Sequence, residues 1–428
     1  MSAPARQHDA GRTGDFRRIA LLAGALFAAF MTAAAAAPPT RSAPAVGTLE
    51  DVALLDIRPG NVTATHDGRV FATVHPLDRP SGLQLIEITG RHDYRPWPDA
   101  SLQSSDADRS DTRLDSPLGI TRDSARRLWI VDMGMHLGTT RLWAFDIATG
   151  AVAHKIALSQ QVAPKGAFVQ DLAVDADRGW VYLADIAPPA IIVHDLKTGQ
   201  SRRFSASPAL QPEARARMKV EGRITLFGGT PARVGINPLT LSADGETLYF
   251  GAMNGTHWHA LPTRLLRDGA PDAVIAAAIR AVGRKPVSDG AATDDDGNHY
   301  FTNLNARGLD RLDSAGRLRP LVRDARLLWP DSVQFGGDAW LYVSVNQLHR
   351  ASAFRGGADT GRPPYRIMRV WTGGSGSARE PETQVAARRR PAVSADARDR
   401  APAPACPAGR VPHATVGPRR DCGGAAPI

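Results

Sequence analysis

The sequence predicts an all-β fold, a single six-bladed β-propeller over residues 47–372, and three observations predict it. A short alternating run, an Asp- and Gly-rich turn and a second run holding an aromatic residue recur six times. The aromatic markers Phe71, Trp129, Tyr182, Tyr249, Tyr300 and Tyr342 stand 42 to 67 residues apart, which suits four-stranded blades carrying loop insertions. Helical periodicity is scarce, while 43% of the 428 residues are hydrophobic, enough for a large core.

Each repeat reads as a hairpin, because Asp and Gly tolerate the positive φ that tight β-turns demand. The turns lie at Asp67-Gly68, Asp123, Asp175, Asp244-Gly245, Asp294 with Gly297, and Gly336. Apolar runs over 142–145, 191–193 and 309–312 supply third strands, and 153–156, 202–204 and 318–322 are candidates for fourth strands. Residues 48–55 precede the first repeat and are expected to complete the last blade, closing the ring without an open edge. The clearest helical pattern, 270–282, reads as an excursion between blades four and five.

The flanks have a different character. Arg17 and Arg18 precede an apolar run over 19–31 and a small-residue stretch over 33–37. That is the pattern of a signal peptide, residues 1–36, cut near Ala36 to leave a secreted or periplasmic protein with no stable membrane anchor. The run of 13 residues falls short of a membrane span, which needs roughly 20. The Arg pair partly matches a twin-arginine signal, and an uncleaved anchor is the alternative. Residues 373–428 are rich in Gly, Ser, Pro, Ala and Arg without periodicity, which predicts a disordered tail.

The formal net charge of +9 resides mostly in these flanks, leaving +3 on residues 37–372. A nearly balanced body argues against a nucleic-acid groove, so no nucleic-acid partner is expected, and the protein is expected to be a monomer. Cys406 and Cys422 both lie in the tail, which excludes thiolate chemistry and disulfides from the body.

The innermost strand of a propeller blade begins at the channel, so the residues opening the six repeats should converge. They are Asn61, Gly119, Asp171, Asn237, Asp289 and Asp331. Two readings stand side by side. Asp171, Asn237, Asp289 and Asp331 form an oxygen-rich site for a divalent cation, Ca²⁺ or Mg²⁺, or with Asn61 a small-molecule ligand site. Alternatively, the side chains cap strand-end N–H groups. His257 and His259 share one face of a strand without a third ligand, and a structural role is expected for them. Trp129, Trp180, Trp329 and Trp340 read as inter-blade packing.

Several clusters resemble the major royal jelly and yellow proteins in their bacterial branch. They are Gly60-Asn61 with Asp67-Gly68; Arg127, Leu128 and Trp129 leading to Asp132 and Gly134; and Asp171-Leu172 with Gly179, Tyr182 and Asp185. The likeness is densest at Lys285, Pro286, Ser288, Asp289 and Gly290, and over 326–331 with Trp340, Tyr342 and Asn346 to His349. It implies a secreted six-bladed propeller that binds small molecules in or near its channel; insect members are associated with biogenic amines and dopachrome-like pigment intermediates. It also implies two roles for His349, a channel-facing acid or base or a histidine pinning the last blade.

Asn237, Asp289 and Gly290 also resemble metal-ligand motifs of gluconolactonase-like propellers, with Asn61 where those enzymes supply a Glu. The leading expectation is therefore an exported small-molecule-binding propeller. The alternatives are a metal-dependent hydrolase or dopachrome-type isomerase with Asp289 or Asp331 as base, and a structural or interaction propeller.

Overall fold

The computed structural model describes residues 42–78, 82–104 and 110–376. The expected signal peptide, and all but the first four residues of the expected tail, lie outside the described residues. The chain builds six four-stranded antiparallel sheets, and the innermost strands contact one another in a closed ring. Those strands are Pro59–Ala64, Pro117–Arg122, Val169–Asp175, Ile236–Leu241, Ala291–Thr293 and Pro330–Phe335. The expected third and fourth strands all form.

Closure takes place in blade six, where Leu49–Leu55 pairs with Tyr365–Trp371, a strand 300 positions away and more. The expectation for 48–55 is met, and the pairing satisfies a ladder of N–H and C=O groups that would otherwise stand open. The hairpin turns use the residues the repeat supplies. Gly68, Gly245 and Gly297 hold φ of 86°, 70° and 77°. The carboxylates of Asp123, Asp294 and Asp313 accept from the backbone N–H four residues on, at 2.8 to 2.9 Å.

The core lies between blades. Trp129, Val131 and Leu142 of blade two pack on Leu172, Val181 and Ile192 of blade three, all at most 2% exposed. Each such side chain contributes roughly 1.5–3 kcal/mol by leaving water. Trp180 and Trp340 pack against the neighbouring inter-blade clusters, as expected.

Two differences from the sequence reading concern helix and tail. Within 270–282 only Asp272–Ala278 is helical; Arg280–Arg284 is the outermost strand of blade four. The excursion thus sits inside blade four, beside a second short helix, Thr263–Arg267. Ile275 anchors it in the core between blades three and four, and the ladder offered by His257–Pro262 overrides helical propensity from Arg280 onward. At the other end, Gly376 bridges Asp294, so the first residues of the expected tail extend the edge of blade five.

Two insertions define one face of the ring. Between blades three and four, Lys219–Val220 pairs with Arg223–Ile224, and Leu226–Phe227 with Thr230–Pro231. Between the second and third strands of blade six, a turn at Leu348–Arg350 leads into the helix Ser352–Arg355. The two insertions meet where the ring of Phe227 lies 5.2 Å from that of Phe354.

Candidate functional site

Five of the six innermost strands are irregular at the same place. Register slips between Pro59 and Val62, Pro117 and Ile120, Val169 and Asp171, Ile236 and Leu239, and Pro330 and Val333. A bulge interrupts the ladder and re-aims a side chain, and Asn61, Gly119, Asp171, Asn237 and Asp331 all fall at these slips. In blade five, Asp289 and Gly290 immediately precede the strand. Close approach of the strands explains two glycines. A Cβ on Gly290 would lie 2.5 Å from the Asp331 carbonyl oxygen, and one on Gly119 would lie 2.4 Å from the Gln170 carbonyl oxygen. At its opening position blade two therefore brings no polar side chain to the group.

Asp289 is the node. Its Oδ1 accepts from Asn237 Nδ2 at 2.7 Å and Gln170 Nε2 at 3.1 Å, and its Oδ2 accepts from Trp329 Nε1 at 2.8 Å. Burial raises the Asp289 carboxyl well above the usual carboxylate range, the three donors pull against that, and the Asp171 charge adds to it. Burial likewise pushes Asp171 up to about 7, against backbone N–H donation from Leu239 and Leu172. Asp331 is raised by burial and by the Asp289 and Asp171 charges, while Asn346 donates to its Oδ2 at 2.5 Å. Asn61 is buried, and its Oδ1 has no hydrogen-bond partner among the described residues. The openings of blades three to six thus form one electrostatically coupled group. It is neither the pure capping arrangement nor an open cation shell.

The expected Ca²⁺ or Mg²⁺ finds no prepared coordination shell. Among the described residues, no three carboxylate, imidazole or thiol side chains are grouped so that they could hold one ion. The Asp289 oxygens also face three N–H donors, which take acceptor positions a metal would otherwise use. For His257 and His259 a structural role is expected, and their contacts are with neighbouring side chains. His257 Nδ1 meets Glu213 at 2.8 Å and Nε2 meets Arg284 at 2.9 Å, while His259 stacks on Phe250.

His349 is separated from the Asp289 group. Its Nε2 meets Glu221 Oε2 at 2.8 Å, its ring stacks on Trp329 at 6.1 Å, and it lines a different cavity. Of its two implied roles, this geometry matches the pinning one. Trp329 is more than the packing residue expected: fully buried, it also donates to Asp289, and its backbone is left-handed at φ 60°. Gln170 escaped notice because it precedes the repeat's opening position by one. Lys285 belongs to the family likeness, but its burial was not expected, because a lysine does not read as a core residue. Its buried Nζ donates to the Pro286 carbonyl and Ser288 Oγ, both at 2.9 Å, and pins the segment that carries Asp289. Burial pushes the Lys285 ammonium down to about 7.

Asp289 and Trp329 line a pocket with His75, Leu118, Phe168 and Met253, and Phe227 and Phe354 also contribute to its wall. Its free volume is about 30 Å³.

Residues 116–370 match the family model described as major royal jelly protein. No curated protein matches the sequence. Among solved structures, virginiamycin B lyase from Staphylococcus aureus is 14% identical, with 76% of this chain and 99% of that one covered at a TM-score of 0.46. A gluconolactonase from Xanthomonas campestris is 14% identical, with 75% and 89% covered and a TM-score of 0.48. The calcium-binding protein regucalcin from Agrobacterium tumefaciens is 14% identical, with 76% and 95% covered and a TM-score of 0.46.

Proposed function

The chain belongs to the major royal jelly protein family, and from that premise we propose that it is an exported propeller that binds a small organic cation in the Asp289 pocket. One observation carries the reading: a buried carboxylate with one acceptor position left stands in a pocket walled mainly by apolar side chains. A carboxylate offers about four lone-pair sites, and three are taken. A ligand ammonium would take the fourth, and its positive charge would offset the burial that now opposes ionisation of Asp289. Leu118, Phe168, Ile186 and Met253 would cover an apolar or aromatic body.

The free volume holds about one water molecule, so an organic ligand requires movement of the pocket wall. Phe227 is the element suited to it. It is 41% exposed and belongs to a two-residue-per-strand hairpin whose turn, Gly228-Gly229, has positive φ at both glycines. Export rests on the pattern of residues 1–36, and the mature chain should begin near Ala37 when N-terminally sequenced. The hydrolase and isomerase alternatives lack a grouped metal-ligand set among the described residues.

The test is calorimetry with an aromatic monoamine such as tyramine and with its neutral N-acetyl analogue. The amine should bind, the analogue should not, and Asp289→Asn should weaken the amine by at least about tenfold, the scale of one charge-assisted hydrogen bond. Equal binding of amine and analogue, or no binding of either, would end this reading and leave the interaction-propeller alternative.

A further inference from the structure

A second cavity, about 670 Å³ in volume, lies between the two insertions, separate from the Asp289 pocket but sharing Phe354 with it. Its charged lining is one-sided: Arg223, Arg350, Arg355 and Arg362 face a single carboxylate, Glu221. That carboxylate is already committed. Arg350 Nη2 meets both of its oxygens at 2.8 and 2.9 Å, and His349 Nε2 meets Oε2 at 2.8 Å. The only side-chain hydrogen bond of Arg355 goes to Thr360 Oγ1 at 2.8 Å, and Arg223 and Arg362 make no ion pair among the described residues.

Two buried polar atoms on the same lining are unsatisfied. Thr225, 4% exposed, has no partner for Oγ1, and His349 has none for Nδ1. Buried polar atoms are almost always paired, so two orphans on residues of one cavity lining mark a place where a water or, after a small shift of the wall, a ligand atom belongs. Three uncompensated guanidinium groups beside them set the sign of that ligand. Guanidinium forks bind carboxylate and phosphate oxygens in pairs. Ile224, Leu226 and Phe354 supply apolar wall beside the charge.

We propose that this cavity is a binding site for a small metabolite bearing an oxyanion, a carboxylate or phosphate group, held by Arg223, Arg355 and Arg362 with Thr225 Oγ1 donating to it. Arg350 is not among the ligand groups, because it holds Glu221. The site is independent of the Asp289 reading, since no residue of the carboxylate group takes part.

The test uses the full chain with three probes by calorimetry at low salt: glycerol phosphate, citrate, and glycerol as the neutral control. Glycerol phosphate or citrate should bind and glycerol should not, and the tighter of the two anions identifies the group the cavity takes. Arg355→Ser and Arg362→Ser should each weaken that anion about tenfold, and the double variant should abolish binding with an unchanged melting temperature, because both side chains are exposed. Asp289→Asn should bind the anion as the parent does, so failure here is distinguishable from failure of the amine reading. Absence of binding by both anions, or binding that survives the double substitution, would overturn the proposal.

Discussion

The indole N–H of Trp329 lies 2.8 Å from Asp289 Oδ2, and it is the one donor that Oδ2 receives among the described residues. The same ring stacks on His349, so one side chain forms the partition between an acidic pocket and a basic cavity. A left-handed backbone at a tryptophan costs on the order of 1–3 kcal/mol. The surrounding contacts must therefore outweigh that strain to keep the indole where it is.

Trp329→Phe keeps most of the ring and removes the donor. The buried Asp289 oxygen then loses its partner, and unfolding in urea should show a loss of roughly 1–3 kcal/mol. The Asp289 carboxyl should also rise further, since one of the bonds holding it down is gone. An unchanged urea midpoint would show that the indole hydrogen bond contributes nothing.

The carboxyl cluster gives stability a definite pH dependence. Asp171 titrates near 7 in the fold and near 3.8 when unfolded, and Asp289 and Asp331 shift in the same direction. Between these limits the folded state holds more protons than the unfolded one, so this contribution falls as pH rises from about 4 to 7. Buried His75 and His299, lowered to about 3 and about 4, run the other way up to about 6.5. The measurable quantity is therefore the parent minus Asp289→Asn difference in melting temperature. It should move against the parent between pH 5 and pH 8, and a flat difference would remove Asp289 from the cluster's titration.

Removing residues 42–55 should undo the fold. The strand Tyr365–Trp371 would lose its ladder partner, and Ala53 and Leu55, at most 1% exposed, would leave the core. The expected outcome is loss of the cooperative thermal transition, with aggregation through the opened edge. A truncated chain melting within a few degrees of the parent would show that closure is dispensable.

Calcium separates the two sequence readings of the channel residues. With the Asp289 oxygens facing N–H donors, calorimetry should show no calcium binding tighter than about millimolar, the weak end of protein calcium sites. Submicromolar binding that weakens in Asp289→Asn would restore the cation reading.

The fold was legible because its signal is local and repeated: turn residues that tolerate positive φ, alternating runs and an aromatic marker in each unit. Convergence of Asp171, Asn237, Asp289 and Asp331 followed from that periodicity alone. What remained hidden depends on contacts between blades. Nothing near Trp329 or Gln170 in the chain indicates that both donate to Asp289, 40 and 119 positions away. The insertion between blades three and four was equally opaque, because strands of two residues carry no measurable alternation. The end of the helix at Ala278 was set by a ladder partner that local propensity cannot register.

The recurring slip at the start of the innermost strands separates what the ring is made of from what it presents. Because the backbone irregularity is the same in five blades, exchanging the residue at one opening alters the inventory of groups at the axis while every ladder keeps its alignment. Blades one, three, four and six then behave as sockets of fixed shape into which a carboxylate or an amide can be fitted, while the blade-two opening, where a Cβ on Gly119 would meet the Gln170 carbonyl oxygen, stays a bare glycine. Relatives with the same scaffold and a different set of six would differ in chemistry while sharing a folding problem already solved.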